Sequence, residues 1–141
     1  MADQIDRAAI DAERTKRVGI WNTTLRMPGT PDLTRFEERL KENGVQLGAP
    51  VMMRIFKREF ELEVWMKRED RYHRFAVYPI CRFSGELGPK LLEGDHQAPE
   101  GFYAIDKRLM NPHSRWHRAF NLGFPNVLDR ANGRTGSFLM I

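Results

Sequence analysis

EFELEVWM, residues 59–66, alternates Phe60, Leu62, Val64 and Met66 with Glu59, Glu61, Glu63 and Trp65. A period of two sends successive side chains to opposite faces, the pattern of a half-exposed antiparallel strand and not of a helix. The same period extends to both sides. VMMRIFK (51–57) precedes it across a brief turn, and YHRFAVYPI (72–80) follows the polar turn at Arg68, Glu69 and Asp70. Three such runs joined by short polar turns form a meander. From Pro50 onward the expectation is a mostly β domain.

Upstream the period lengthens. In GTPDLTRFEERLKENG (29–44), Thr30 can cap a helix, Pro31 suits its first position and Asp32 its first turn. Leu33, Phe36 and Leu40 share a face, and Gly44 ends the run. Before it, Ile5, Ala8, Ala9 and Ala12 draw a thin helical stripe through residues 1–18. Helices in front of strands argue against alternating βαβ units.

Downstream the chain is dominated by turns. CRFSGELGPKLLEGDHQAPEG (81–101) holds four glycines and two prolines, a loop length that in a compact domain usually carries function. FYAI (102–105) is expected to resume a strand, and a short apolar strand is expected near Ala119 to Leu122. The final GRTGSFLMI (133–141) is an apolar run bounded by Gly136 on one side only, the expected start or middle of a buried strand. Because an apolar terminus in a core would bury its own carboxylate, further chain is expected beyond Ile141.

Bulk properties set broad limits. A chain of 141 residues, 41% hydrophobic and 30% charged, is sized for one soluble globular domain. FAVYPIC is far too short to cross a bilayer, and MADQIDRAAIDAERTK has no secretory apolar stretch. A formal charge of +4 permits attraction to polyanions, but acids interleave with bases in KREFELEVWMKRED, which reads as a solvated face. The single Cys81 excludes an intrachain disulfide and a multi-cysteine zinc site.

Several constellations favour the plainer reading. Cys81 follows an apolar strand and precedes Arg82, the position of a small buried residue more than of a nucleophile. His113 and His117 have the spacing of a helical zinc pair, but Ser114 stands where the zinc-protease motif needs Glu. GELGPKLLEGD (85–95) lacks the spacing of a phosphate-binding loop, and Trp116, Phe120 and Phe124 are more simply core aromatics than a base-stacking platform.

Three segments together carry a family resemblance. PVMMRIFKREFELEVW, YPICRFSGELGPKLLEGDHQAPEGFYAI and FNLGFPNVLDRANGRTGSFLMI resemble the YafK-type branch of the YkuD family, the L,D-transpeptidases of bacterial peptidoglycan. APEGFY is similar to the family's Ser/Thr-Pro-x-Gly-x-aromatic turn, with Ala98 in place of the hydroxyl residue, and NLGFPNVLDR is similar to a stretch particular to this branch. The resemblance implies a YkuD-like β-sandwich or barrel with N-terminal helices, here C-terminally incomplete. Residues 1–48 would be a helical lead-in and 49–141 the first part of the catalytic domain. After a strand like SFLMI it implies a His-Gly pair and then Ser-x-Gly-Cys, so that the general base and nucleophile lie beyond Ile141 and Cys81 is non-catalytic.

The implied activity is cysteine acyl transfer from tetrapeptide stems through a thioester, or a related peptidoglycan-protein amidase reaction, with this chain inactive by itself. No cofactor is implied. The implied partners are stem peptides and a wall-linked lipoprotein, not nucleic acid, and the implied location is periplasmic or wall-facing. For substrate binding the resemblance points to Gly85, Gly88, Lys90, Pro99, Gly101, Tyr103, Asn126, Asp129 and Arg130. Asp129 or Arg130 would recognise the zwitterionic end of the diamino acid, against the alternative of an ion pair that only holds its own loop. A rival function is a non-catalytic basic module that binds cell-wall glycan or nucleic acid.

Overall fold

The computed structural model describes residues 7–141. They form two compact units, one ending at Phe83 and the other spanning Ser84–Ile141. N-terminal helices are followed by antiparallel strands, as the sequence patterning requires.

The first unit is built on a meander. Strands β1 (Val51–Phe56), β2 (Glu61–Arg68) and β3 (Arg71–Pro79) pair antiparallel in the order β1-β2-β3, with Val51 opposite Met66 and Glu61 opposite Pro79. The β2–β3 pairing is not regular throughout: Val64 faces Ala76 and Trp65 faces Arg74, so β3 carries Phe75 as an extra residue opposite that step. Glu63, expected at the surface, is only 8% exposed. It accepts from the Trp65 indole at 2.9 Å and from Arg74 at 3.1 Å, and Arg54 lies 3.3 Å away on β1. Paired in this way, a carboxylate tolerates burial on the sheet. Phe60 also departs from the pattern. It lies in the β1–β2 turn with φ +55°, and its ring is 1% exposed against Phe83 at 5.3 Å.

One sheet face receives helix α2 (Phe36–Glu42), where Leu40, Val45 and Met66 form a buried cluster flanked by Phe36, Val64 and Phe75. Phe36 meets Phe75 edge-on at 6.1 Å. The helix enters through a 3₁₀ turn (Leu33–Arg35) capped by Asp32, which accepts from the Thr34 amide at 2.9 Å. Thr30, the expected cap, instead donates its hydroxyl to the Met27 carbonyl, and Leu33 is exposed. The exit follows expectation. Gly44, at φ +61°, donates to the Lys41 carbonyl and Val45 to that of Leu40, each at 3.0 Å, which is a Schellman closure with an apolar Val45–Leu40 contact.

Helix α1 (Arg7–Thr24) has no buried residue. The expected stripe is displaced: Ala8, Ala9 and Ala12 are exposed, Ile5 lies outside the described residues, and the half-buried face runs through Ile10, Glu13, Arg14, Arg17 and Val18. Arg14 lies 4.8 Å over the Phe83 ring and Arg17 5.0 Å over Phe60. Arg17 also donates to the Ile80 carbonyl at 3.1 Å. Guanidinium groups on aromatic faces thus do the docking that an alanine stripe is too small to do.

The second unit holds strands β4 (Met110–Asn111) and β5 (Ala119–Phe120), an antiparallel pair, and the five-residue helix α3 (Val127–Ala131). The run SFLMI pairs with β5 and the residues after it: Phe120 and Ile141 exchange both backbone bonds, at 2.8 and 3.0 Å, and Leu122 donates to Leu139. Strand pairing was expected there and burial was not found, since Phe138 is 82% exposed. FYAI stays irregular, with Phe102 fully turned to solvent.

Candidate functional site

The long loop is held by its own side chains. Gln97 is the staple: its Oε1 accepts from the Glu86 amide at 2.8 Å and its Nε2 donates to the carbonyls of Glu86 and Gly88 at 2.6 and 2.8 Å. That closeness explains Gly85. At φ +75° a Cβ there would meet Gln97 Oε1 at 2.0 Å, so only glycine lets the backbone approach. Gly88 donates its amide to Glu100 at 2.8 Å, and Ala98, where the related turn carries a hydroxyl, donates its amide to the Ser84 carbonyl at 2.9 Å.

Lys90 is 4% exposed. Its ammonium donates to Asp95 at 2.5 Å and to the Leu92 carbonyl at 2.8 Å, and its stem passes Gly136, where a Cβ would meet Lys90 Cε at 2.6 Å. Asp95 also accepts from the amides of Leu91, Leu92 and Gln97. Burial pushes the Asp95 carboxyl up, but the Lys90 bond and these amides outweigh it and hold the group far below the usual carboxylate range. Lys90 and Asp95 therefore close the loop internally.

A second group centres on Asp129, 1% exposed at the first turn of α3. Asn126 caps the helix: its Oδ1 accepts from the Asp129 amide at 2.8 Å, while Asp129 Oδ2 accepts from the Asn126 amide at 3.1 Å. This reciprocal cap is the capping-box arrangement with Asp in the third position. Tyr103 donates its hydroxyl to Asp129 Oδ2 at 3.0 Å, and Arg134 donates to Oδ1 at 2.8 Å. Burial pushes Asp129 up, yet the Asn126 amide, Arg134 and Tyr103 together keep it below the ordinary carboxylate value. Tyr103 moves the other way. Burial and the carboxylate acceptor push it up to about 12.

The structure brings Tyr103, Asn126 and Asp129 into one bonded group. Asn126 further donates to the Phe102 carbonyl at 2.9 Å, and Gly101, at φ +147°, leaves 3.3 Å between a Cβ position and the Tyr103 hydroxyl. Gly85 and Gly88 form a separate group around Gln97 and Glu100, with half-buried Pro99 in the turn between Ala98 and Glu100. Arg130 is exposed and donates one guanidinium N–H to the Pro125 carbonyl. It is not the partner of Asp129, a place taken by Arg134.

Gln97, Asp95 and Arg134 do the organising, and sequence reasoning did not single them out. Asp95 had a local signal in Gly94-Asp95, a turn-forming pair whose carboxylate can accept nearby amides. Gln97 and Arg134 had none, since their partners depend on how the loop folds back. Cys81 is free and half-buried. Among the described residues no three His, Cys, Asp or Glu side chains converge as a metal site, and no helix is long and apolar enough to cross a membrane.

No family model matches the chain. Two curated proteins do, from Escherichia coli strain K12 and Escherichia coli O157:H7, each named "Putative L,D-transpeptidase YafK". Each is 45% identical to this chain over 95 residues, 67% of the chain. The chain spans 39% of the length of these relatives. With that identity, and with helices leading into antiparallel strands, the chain belongs to the YafK-type L,D-transpeptidase family.

Proposed function

We propose that these residues form the substrate-facing part of a peptidoglycan L,D-transpeptidase or of a peptidoglycan-protein amidase of the same type, working at the wall-facing side of the membrane. The observation that carries this reading is the 45% identity over 95 residues to proteins named as L,D-transpeptidases. Residues 49–141 would belong to the catalytic domain, with 1–48 as its lead-in.

In this reading a thiolate attacks the carbonyl of the third-position diamino acid of a tetrapeptide stem and expels D-alanine. A thioester forms, and an amine of another stem or of a wall-linked lipoprotein, or water, takes the acyl group. The thiol and its histidine base would come from chain following Ile141. Cys81 has no role in it. The residues present would bind and position. Arg130, with its remaining guanidinium N–H groups facing solvent, suits a stem carboxylate. Asp129 is filled by Asn126, Tyr103 and Arg134 and acts as a positioning residue that fixes α3 and hence Arg130. Lys90, with its ammonium used by Asp95 and Leu92, positions the loop whose Gly85, Gly88 and Pro99 would line the cleft.

The test is release of D-alanine from a disaccharide-tetrapeptide by the product of the complete coding region, followed by mass spectrometry. Release that stops when the cysteine of Ser-x-Gly-Cys is replaced by alanine supports the reading. Absence both of D-alanine release and of cleavage of a peptidoglycan-linked peptide would overturn it.

A further inference from the structure

We propose that Lys90 and Asp95 do more than close their loop: with Thr135 they clasp it to the root of the segment 136–141, and so act in the reaction as positioning residues for the chain that follows that segment. The inference rests on the peptidoglycan reading above, in which the thiol and its histidine base follow Ile141.

The clasp is closed from both sides. On the loop side Lys90 donates to Asp95 and to the Leu92 carbonyl, while Asp95 accepts from the amides of Leu91 and Leu92, so residues 90–95 form a self-bonded turn. On the other side the Thr135 amide donates to the Leu91 carbonyl at 3.1 Å, and Thr135 Oγ1 accepts from the Glu93 amide at 3.0 Å. Gly136 comes next. A Cβ there would meet Lys90 Cε at 2.6 Å and the Phe124 ring at 3.4 Å, so only glycine lets the buried lysine stem pass this backbone. Beyond it the chain enters its pairing with β5, where Leu122 donates to the Leu139 carbonyl and Phe120 and Ile141 exchange both bonds. A displacement at Gly136 is therefore handed on along a paired segment.

Energetics favours a geometric role over mere stabilisation. Lys90 is 4% exposed, and an ammonium taken out of water recovers its desolvation cost only through well-made bonds, so an apolar pair of similar volume would hold the loop about as firmly. What the charged pair adds is direction. Bonds of 2.5 and 2.8 Å from one ammonium fix a single arrangement, where apolar contacts would tolerate sliding. Catalysis is sensitive to such arrangement, since a misplacement of about 1 Å from a change far from the chemistry can cost about a hundredfold in rate. Lys90 is also too buried to reach a substrate, and the cleft end of the loop is held separately, with Gly85 and Gly88 gathered by Gln97 and Glu100. Loss of the clasp should therefore lower turnover and leave substrate affinity alone.

The experiment uses the product of the complete coding region and whichever reaction it performs, D-alanine release or cleavage of a peptidoglycan-linked peptide, read as kcat and KM. Amide hydrogen exchange at Thr135 and in β2 is followed alongside. Lys90→Met keeps the stem against Gly136 and leaves Asp95 its amide bonds, and Thr135→Val, at an exposed position, removes only the bond from Glu93. The expected result is a kcat lowered about tenfold or more by Lys90→Met and less by Thr135→Val, KM within about twofold of the parent, and faster exchange at Thr135 with β2 unchanged. Unchanged kcat per folded molecule, whatever the exchange at Thr135, would reduce the clasp to loop closure and overturn the proposal. A raised KM at unchanged kcat would overturn it too and leave the cleft-lining reading standing. Lower kcat with faster exchange throughout would mark general loosening and count equally against it. Should Lys90→Met not fold, Thr135→Val decides alone, and a kcat equal to the parent's would sink the idea. A parent protein inactive in both reactions would overturn this proposal together with the function reading.

Discussion

At the residue scale, Asp129 and Arg130 are neighbours in sequence with opposite situations. One is buried and holds bonds from three other residues; the other is exposed and tied only to a carbonyl. Asp129→Asn leaves Arg134 facing a neutral amide in a buried setting, and a loss of about 3 kcal/mol is expected in denaturant unfolding. Arg130→Gln should leave unfolding unchanged and, on the transpeptidase reading proposed above, raise KM. The opposite pattern, a stable Asp129 variant with impaired binding, would return recognition to Asp129. Tyr103 gives a spectroscopic check on the same group. Its neutral form is favoured in the fold up to about 12, against an ordinary value near 10, so its contribution is complete below about pH 10 and is lost as pH rises through 12. Ultraviolet titration should find one of the three tyrosines ionising late. The family resemblance pointed to Asp129 and Tyr103, but their bond spans 26 positions along the chain, and no local pattern announces it.

At the scale of elements, the β1–β2 turn is the informative case. Phe60 occupies left-handed backbone that costs a non-glycine residue about 1 kcal/mol, and burial of its ring more than offsets this. Phe60→Ala should destabilise by about 3 kcal/mol, measured by urea unfolding, whereas a merely strained turn would be little affected or relieved. Gly44→Ala tests the end of α2. It forces a side chain to φ +61° and to 3.3 Å from Arg68 Cδ, for an expected cost of about 1 kcal/mol. The three long strands, α2 and its glycine stop were readable because period and capping are local. The Thr30 cap was misplaced by two residues, since Asp32 competes for the same role and its carboxylate reaches the Thr34 amide. The burial of Glu63 was invisible because Arg54 and Arg74 reach it only across strands.

Across the whole molecule, stability should fall in acid. Asp95, Asp129 and Glu63 all sit below their ordinary values: Asp95 and Asp129 because bonds outweigh burial, Glu63 through the Trp65 indole first and Arg74 and Arg54 after it. A carboxylate depressed in the fold stabilises fully above its unfolded value near 4 and loses that contribution as pH falls through the depressed one. The melting temperature should decline from pH 5 downward. Asp95→Asn combined with Asp129→Asn should start lower and decline less, and an unaltered slope would show that other carboxylates govern acid unfolding.

The sequence by itself determined that helices precede a β meander, that the glycine-rich stretch is loop, and which family the chain belongs to, because periodicity, turn chemistry and residue identity are encoded over a few positions. Only the tertiary structure decided that α1 docks by arginines and not by alanines, that Lys90 is consumed by Asp95, and that Arg134 and not Arg130 pairs Asp129. Each of these depends on which distant groups share a desolvated space. That is settled by how the chain folds back on itself, which local spacing does not carry.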